Sequence, residues 1–305
     1  MKVLLIRSAE NAHFYAPLAQ ALLRSERLDV MQYPVFPEDK KTKVGKLFNP
    51  DQAWNALHTQ VIETRAELKQ RLSAGDFDLV LLADNDAQLF RRFDIPRYRW
   101  KIGIECAVRW LKGEKKLART HWHYENAMPW SLEEFGRNVH FAAVEICDAA
   151  CMRVQNRRIL EASTVFFKRE LPYDRFFMYY PDRPAPWAQR RLELLPHFKK
   201  VHAIPMGIED DKYFALKIKR SQVQDIDLFV SGAITNTLRQ EALERIKALA
   251  VHNDWNIVIE DHVPFETYCD LVSRSKVTLS IAGSRWECFR HYEAVALGSL
   301  PLMTV

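Results

Sequence analysis

Short apolar segments alternate with amphipathic helical segments along this chain, and this alternation restricts the fold more than any other feature. Residues 2–7 and 28–33 are apolar runs of strand length, and residues 14–24 between them carry apolar side chains at helical spacing. A strand, a helix and a second strand in succession form the building unit of a doubly wound parallel sheet. We therefore predict an α/β protein whose ligand sites lie at the carboxyl ends of its strands.

The alternation occurs twice, on either side of a polar stretch. Further strands are predicted at residues 78–83, 139–146, 162–167, 201–205, 225–230, 255–260, 277–281 and from residue 300 onward. Residues 209–224 lack apolar periodicity, so we interpret them as a linker between an N-terminal domain, residues 1–208, and a C-terminal domain, residues 225–305. We expect two Rossmann-like doubly wound domains, of which the second is truncated because it ends within a predicted strand.

Composition and charge narrow the class of protein. A chain of 305 residues with 48% hydrophobic residues can bury the cores of two domains, and no apolar run reaches the ~20 residues of a membrane span. Five scattered cysteines suit free thiols in a reducing compartment, which favours a cytoplasmic protein. The net charge of +5 favours anionic ligands. Zinc-ligand spacing and RNA-binding signatures are absent from the sequence, so no nucleic-acid partner is predicted.

The most specific string is residues 293–302, Glu-Ala-Val-Ala-Leu-Gly-Ser-Leu-Pro-Leu. Its pattern predicts a carboxylate near the start of a helix, small residues where the helix lies on the sheet, and a glycine that ends the helix before a strand. A carboxylate in that place can accept hydrogen bonds from both vicinal hydroxyls of a ribose. The preceding loop, residues 283–290, follows a predicted strand and reaches a helix N-terminus, which is a common site for anions.

This string resembles the donor-site helix of GT-B glycosyltransferases, and residues 286–293 are similar to the Arg-x-x-Glu arrangement of exostosin-like and related bacterial families. The resemblance implies that the C-terminal domain binds a nucleotide-sugar donor. It implies donor contacts, by matching position, from Gly232, Arg239, Gly283, Arg285, Trp286, Glu287, Arg290, Tyr292 and Glu293. Glu293 would bind the ribose, and Arg290 and Arg239 the diphosphate, since guanidinium groups donate bidentately. The alternative is that these arginines are surface residues paired with Glu241 or Glu287.

The string departs from the family at one position. Many retaining members have a second glutamate eight residues before the ribose-binding one, where this chain has Arg285. Glu287 is six residues before Glu293, so on a regular helix the two side chains would point about 120° apart. Whether transfer retains or inverts the sugar's configuration is therefore left open.

The N-terminal domain offers a candidate general base. Inverting GT-B enzymes resemble this chain in placing a histidine after the first strand, and here His13 precedes Pro17. An imidazole can take the proton of an acceptor hydroxyl, and Asp84 or Asp86 would orient it. The alternative is an exposed or helix-capping histidine. Asp84-Asn-Asp86 also has the form of the GT-A metal motif, but that fold leaves the C-terminal string unexplained, so we predict no metal site and no cofactor.

Residues 91–119 are basic and aromatic, and from about residue 100 they read as an amphipathic helix. Such a helix is either a solvated surface or a peripheral contact with an anionic membrane. The expected function is a cytoplasmic glycosyltransferase of glycan biosynthesis, which moves a sugar from a nucleotide sugar to a hydroxyl of a glycan or lipid-linked acceptor. Two alternatives remain open: a catalytically silent nucleotide- or carbohydrate-binding module of the same fold, and a nucleotide-sugar epimerase.

Overall fold

The computed structural model describes residues 1–7, 12–33, 62, 64–83, 90, 128–145, 154–169, 171, 195–231, 237–261, 263–281 and 287–303. The described residues form two compact units, the first extending to Ile204 and the second beginning at Pro205. Each unit is built on its own parallel sheet. The predicted α/β class with parallel sheets is confirmed.

The first unit contains a six-stranded sheet in the order β2-β1-β3-β4-β5-β6. Its elements are β1 (Lys2–Arg7), α1 (Ala12–Leu23), β2 (Asp29–Tyr33), α2 (Arg65–Ala74), β3 (Leu79–Ala83), α3 (Leu132–Asn138), β4 (Phe141–Glu145), α4 (Val154–Ala162), β5 (Val165–Lys168) and β6 (Val201–Ala203). The strand order reverses next to β1, as in a doubly wound fold. Of the helix predicted at residues 51–73, the part from Arg65 onward is observed. Thr64 is its extended N-cap, and the earlier residues lie outside the described part of the chain except for position 62.

The core of the first unit lies on both faces of its sheet. Along β1, Leu4 and Ile6 pack on one face, and Val3 and Leu5 pack on the other. Successive strand residues point to opposite faces, so a sheet covered on both sides needs apolar side chains at every position. This requirement is why the continuous apolar runs of the sequence locate these strands.

The second unit contains a four-stranded sheet in the order β10-β9-β7-β8. Its elements are α5 (Asp210–Lys217), β7 (Ile226–Ser231), α6 (Thr237–Asn253), β8 (Ile257–Glu260), α7 (Phe265–Ser273), β9 (Ser275–Ser280), α8 (Phe289–Leu297) and β10 (Leu300–Met303). Helix α8 ends at Gly298, whose φ of 91° lies in the left-handed region. The amides of Gly298 and Ser299 donate to the last turn of α8, which is the helix end that the sequence predicts.

The structure differs from the predicted domain boundary. The first unit ends at Ile204 rather than at residue 208, and α5 lies inside the predicted linker, residues 209–224. Leu216 of α5 is fully buried in the core of the second unit, together with Phe229. Helix α5 exposes most of its other side chains and buries few apolar ones, so it lacks the periodicity that marks an amphipathic helix.

Three other expectations concern a membrane span, the basic aromatic segment and the cysteines. Within the described residues, no helix is both long enough and apolar enough to cross a membrane. The basic aromatic segment, residues 91–119, lies outside the described residues. Cys269 and Cys288 are free thiols, as predicted for the cysteines of this chain.

Candidate functional site

Two arginines meet at the carboxyl edge of the second sheet. Arg239 comes from the first turn of α6, and Arg290 comes from the first turn of α8. They line one small, open pocket with Val230, Ser231, Leu243, Leu279 and Ile281, which lie at the ends of β7 and β9 and on α6. The structure therefore brings together two of the predicted diphosphate ligands, at the edge where parallel sheets bind ligands.

The side chain of Arg239 is fixed by a backbone contact and feels the charge of Arg290. The Nη2 atom of Arg239 donates to the carbonyl oxygen of Ile281 at 3.1 Å, which fixes the side chain against the end of β9. Burial lowers the pKa of Arg239, and the positive charge of Arg290 lowers it further. An anion bound between the two side chains would relieve this repulsion. The pocket is thus electrostatically suited to a diphosphate.

Glu293 lies one turn further along α8 and has partners for both carboxylate oxygens. Its Oε1 atom is 2.7 Å from Nζ of Lys212, and its Oε2 atom accepts from the hydroxyl of Tyr268 at 3.2 Å. The side chains of Lys212 and Glu293 are each 13% exposed. A carboxylate oxygen has two lone pairs, so these bonds leave acceptor capacity for further hydroxyl groups.

A second carboxylate lies close to this ion pair. Burial raises the pKa of Glu209, the negative charge of Glu293 raises it as well, and the charge of Lys212 lowers it. The ammonium group of Lys212 also lies over the ring of Phe289, 4.9 Å from the ring centroid. One lysine is therefore placed between two carboxylates and an aromatic face.

Glu287 and Tyr292 form a separate contact at the start of α8. The hydroxyl of Tyr292 donates to Oε1 of Glu287, and the backbone amide of Met206 donates to the same oxygen at 2.9 Å. Glu287 precedes the helix, so the 120° separation expected on a regular helix does not apply to it. Its carboxylate ties the segment after Pro205 to the start of α8.

The structure also shows a polar cluster that the sequence analysis did not single out. Cys288 is the N-cap residue of α8, and its sulfur lies 3.3 Å from Oγ of Ser280. The ring of His291 faces both residues, with Nδ1 3.5 Å from the Cys288 amide and Nε2 3.4 Å from the Ser280 carbonyl oxygen. Burial raises the pKa of Cys288, but contacts with His291 and Ser280 and the charge of Arg290 lower it to about 7. The spacing Cys-x-x-His across a helix start is the sequence signal for this cluster.

We expect the alkylation rate of Cys288 by iodoacetamide to rise with pH and to level off above a midpoint of about 7, because the thiolate is the reactive form. Burial raises the pKa of Cys269 to about 11, so that thiol should react slowly and show no plateau up to pH ~9. Peptide mapping of both sites measures the two profiles in the same protein, and His291→Ala should move the Cys288 midpoint upward. A Cys288 midpoint at the ordinary value of about 8.5 would contradict this expectation.

Several predicted residues cannot be placed. Gly232, Gly283, Arg285, Trp286, Asp84 and Asp86 lie outside the described residues. His13 lies in the first turn of α1, but its side chain is not among those described. Among the residues that are described, no group of three or more His, Cys, Asp and Glu side chains could hold a metal ion.

Comparisons with known proteins address the class of this protein. The chain has two α/β units, each built on a parallel sheet, with a pocket at the carboxyl edge of the second sheet. This is the architecture predicted from the resemblance to GT-B glycosyltransferases. Residues 230–304 match the family described as the RXYLT1 C-terminal domain. The match covers most of the second unit, including Arg239, Arg290 and Glu293, and confirms the predicted resemblance to exostosin-like GT-B glycosyltransferases.

Two solved structures are similar to the chain over most of its length. One is MurG of Acinetobacter baumannii, with 11% identity and a TM-score of 0.36 over 93% of this chain and 72% of that chain. The other is a glycosyltransferase from Rickettsia africae ESF-5, with 10% identity and a TM-score of 0.39 over 98% of this chain and 78% of that chain. No curated protein matches the sequence.

Proposed function

We propose that the protein is a glycosyltransferase that moves a sugar from a nucleotide-sugar donor to a hydroxyl group of a glycan or lipid-linked acceptor. The observation that carries this proposal is the pair Arg239 and Arg290 in one pocket at the carboxyl edge of the second sheet. The family match over the same segment supports it.

The proposed chemistry depends mainly on stabilising a leaving group. When the bond between the sugar and the diphosphate breaks, negative charge develops on the departing phosphate oxygen. Arg239 is held by the Ile281 carbonyl oxygen and lies beside Arg290, and cations placed there before the reaction would stabilise that charge with little reorganisation. Binding the donor in one orientation adds to the rate because the acceptor then meets the reacting carbon in a fixed geometry.

Glu293 is the proposed ribose ligand of the donor. Two vicinal hydroxyl groups can donate to the oxygens of one ionised carboxylate. Lys212 and Tyr268 contact one oxygen each, which restricts rotation of the Glu293 carboxylate. Gly232, Gly283, Arg285, Trp286, Glu287 and Tyr292 complete the proposed donor set, of which Glu287 and Tyr292 are bonded to each other.

The first unit is proposed to bind the acceptor. His13 would remove the proton of the acceptor hydroxyl, and Asp84 or Asp86 would orient its ring. The proposal needs neither a metal ion nor a cofactor. We further propose that the protein acts in the cytoplasm, with its basic segment, residues 91–119, in peripheral contact with an anionic membrane.

The first test is direct binding of UDP-, GDP-, ADP-, CMP- and dTDP-sugars, followed by release of nucleotide with candidate acceptors. We expect at least one donor to bind below millimolar concentration and Glu293→Ala to weaken it by about tenfold, as for the loss of hydrogen bonds to a charged group. Exposed Glu244 on α6 supplies the matched control, Glu244→Ala, which should bind as the wild type does.

The outcomes of this test separate the candidate functions. Binding without turnover in the presence of acceptors would favour the silent binding module. Conversion or release of the sugar without any acceptor would favour the epimerase. If no donor binds at millimolar concentration, or if Glu293→Ala binds equally well, the proposed function is wrong.

A further inference from the structure

The segment that leads from Pro205 into the second sheet is bonded along the whole length of α8. At the start of α8, Met206 N donates to Glu287 Oε1 at 2.9 Å, and one turn later Lys212 Nζ donates to Glu293 Oε1 at 2.7 Å. At the end of α8, Arg220 Nε and Nη2 donate to the carbonyl oxygens of Ala296 and Val295 at 2.9 Å each. Gln224 Nε2 donates to the Gly298 carbonyl oxygen at 3.0 Å. The Arg220 and Gln224 bonds supply donors to carbonyl groups at the C-terminal end of the helix, where intrahelical donors run out. The Lys212 bond is of another kind, because it engages the carboxylate proposed to bind the ribose.

Glu293 lies in an environment of mixed charge. Lys212 on α5 and Glu209 at the N-cap of α5 face Glu293. Tyr268 and Cys269 face it from α7, and Arg290 lies one turn away on α8. Among these groups, Glu209 and the two α7 side chains disfavour a negative charge on Glu293 when they are ionised. Lys212 is the cation in direct contact with it.

The cost of burial makes this contact important. A carboxylate that is 13% exposed loses most of its hydration, so its charged form is disfavoured unless a cation compensates. Lys212 supplies that cation and holds Oε1, while Tyr268 holds Oε2. Removing the lysine would leave the carboxylate partly buried beside Glu209, and a proton would then bind to it more readily.

We propose that Lys212 is a positioning residue of the donor site, which keeps Glu293 ionised and correctly oriented for the two ribose hydroxyls. This inference rests on the proposed function. It extends the donor site to α5, a helix outside the domain that the sequence analysis assigned to the donor and outside the matched segment, residues 230–304.

The test compares Lys212→Met with the wild type at several pH values. UDP-glucose, GDP-mannose and ADP-glucose serve as probes, because their doubly esterified diphosphates do not titrate near neutrality. In Lys212→Met the Glu293 carboxylate is still mostly buried but has lost the cation in contact with it, so its charged form is disfavoured and donor binding should weaken as pH falls. We expect the affinity of the variant, divided by that of the wild type at the same pH, to drop about tenfold between pH ~8 and pH ~5.5. The ratio removes the contribution of groups that titrate in both proteins, such as Cys288 beside Arg290, whose pKa is about 7.

Two further variants exclude a general loss of structure. Lys212→Arg keeps a cation beside Glu293 and should restore the pH profile of the wild type. Lys217→Met makes the same change at an exposed position of the same helix, and it should bind the probes as the wild type does. Circular dichroism of each variant reports whether the protein is folded.

A measurement without nucleotide separates failure of this inference from failure of the proposed function. The ¹³C carboxyl resonance of Glu293, assigned with Glu293→Gln, reports its pKa in the wild type and in Lys212→Met. A pKa that does not rise, or probe binding with the same pH profile in both proteins, overturns the role of Lys212. A raised pKa with no probe bound by the wild type contradicts the proposed function, and the donor-site role of Lys212 fails with it.

Discussion

Arg290→Ala should weaken binding of a nucleotide-sugar donor by about 10- to 100-fold. Hydrogen bonds to charged groups contribute roughly 1.5–3 kcal/mol each, and about 1.4 kcal/mol corresponds to tenfold in affinity. Arg290 lines the pocket at the carboxyl edge of β7 and β9, and its guanidinium group is close enough to Arg239 to lower the pKa of that residue. Both observations support the proposed role of Arg290 as a diphosphate ligand.

Arg239→Ala should have a similar effect, and the double variant should show no measurable binding at millimolar donor. Each single variant also loses one cation, so its affinity should depend less steeply on salt concentration than that of the wild type. Isothermal titration at two ionic strengths measures both quantities.

Arg245→Ala is the matched control, because Arg245 is an exposed arginine on the same helix as Arg239. It removes one positive charge without touching the pocket. If Arg245→Ala and Arg290→Ala weaken donor binding equally, net charge rather than the pocket controls affinity, and the diphosphate assignment is wrong.

Lys168→Met should destabilise the first unit by about 3–5 kcal/mol. Lys168 lies at the end of β5 and Glu145 at the end of β4, with 3.2 Å between Nζ and Oε2. Their side chains are 0% and 2% exposed, and the amide of Asn156 donates to the other Glu145 oxygen at 2.8 Å. Removing the lysine leaves a buried carboxylate without its cation, which costs far more than the loss of an exposed ion pair.

The double variant Lys168→Met/Glu145→Gln should recover most of this loss, since it removes both buried charges. Arg158→Met is the control, because Arg158 and Glu133 form a pair that is 63% and 52% exposed, and it should cost at most about 1 kcal/mol. Urea unfolding measures the free energy, and hydrogen exchange of peptides from β4 and β5 locates the change. Equal losses for Lys168→Met and Arg158→Met would show that the buried pair does not stabilise the unit.

Much of the fold follows from local sequence pattern. Strand β1 was predicted at the residues where it is observed, because a strand buried on both faces has to be apolar at consecutive positions. The C-terminal end of α8 was predicted from Gly298, since a left-handed residue after a helix favours glycine. Both features depend on residues that are neighbours in the chain.

The contacts of the candidate site do not follow from such patterns. Lys212 and Glu293 are 81 positions apart in the sequence. The sequence pattern predicts that the polar stretch containing Lys212 is a linker, whereas the structure places Leu216 of that stretch in the core of the second unit. The neighbours of Glu293 and the closeness of Arg239 to Arg290 are likewise set by how α5, α6 and α8 pack around the second sheet.

The sequence by itself therefore determined the α/β class, most strand positions and the residue types of the donor string. Only the tertiary structure decided which charged groups meet, and with them the charge states on which binding depends. The physical reason is that apolar periodicity is a local property of the chain. The pairing of a buried charge depends on a partner brought close by packing, wherever that partner lies in the sequence.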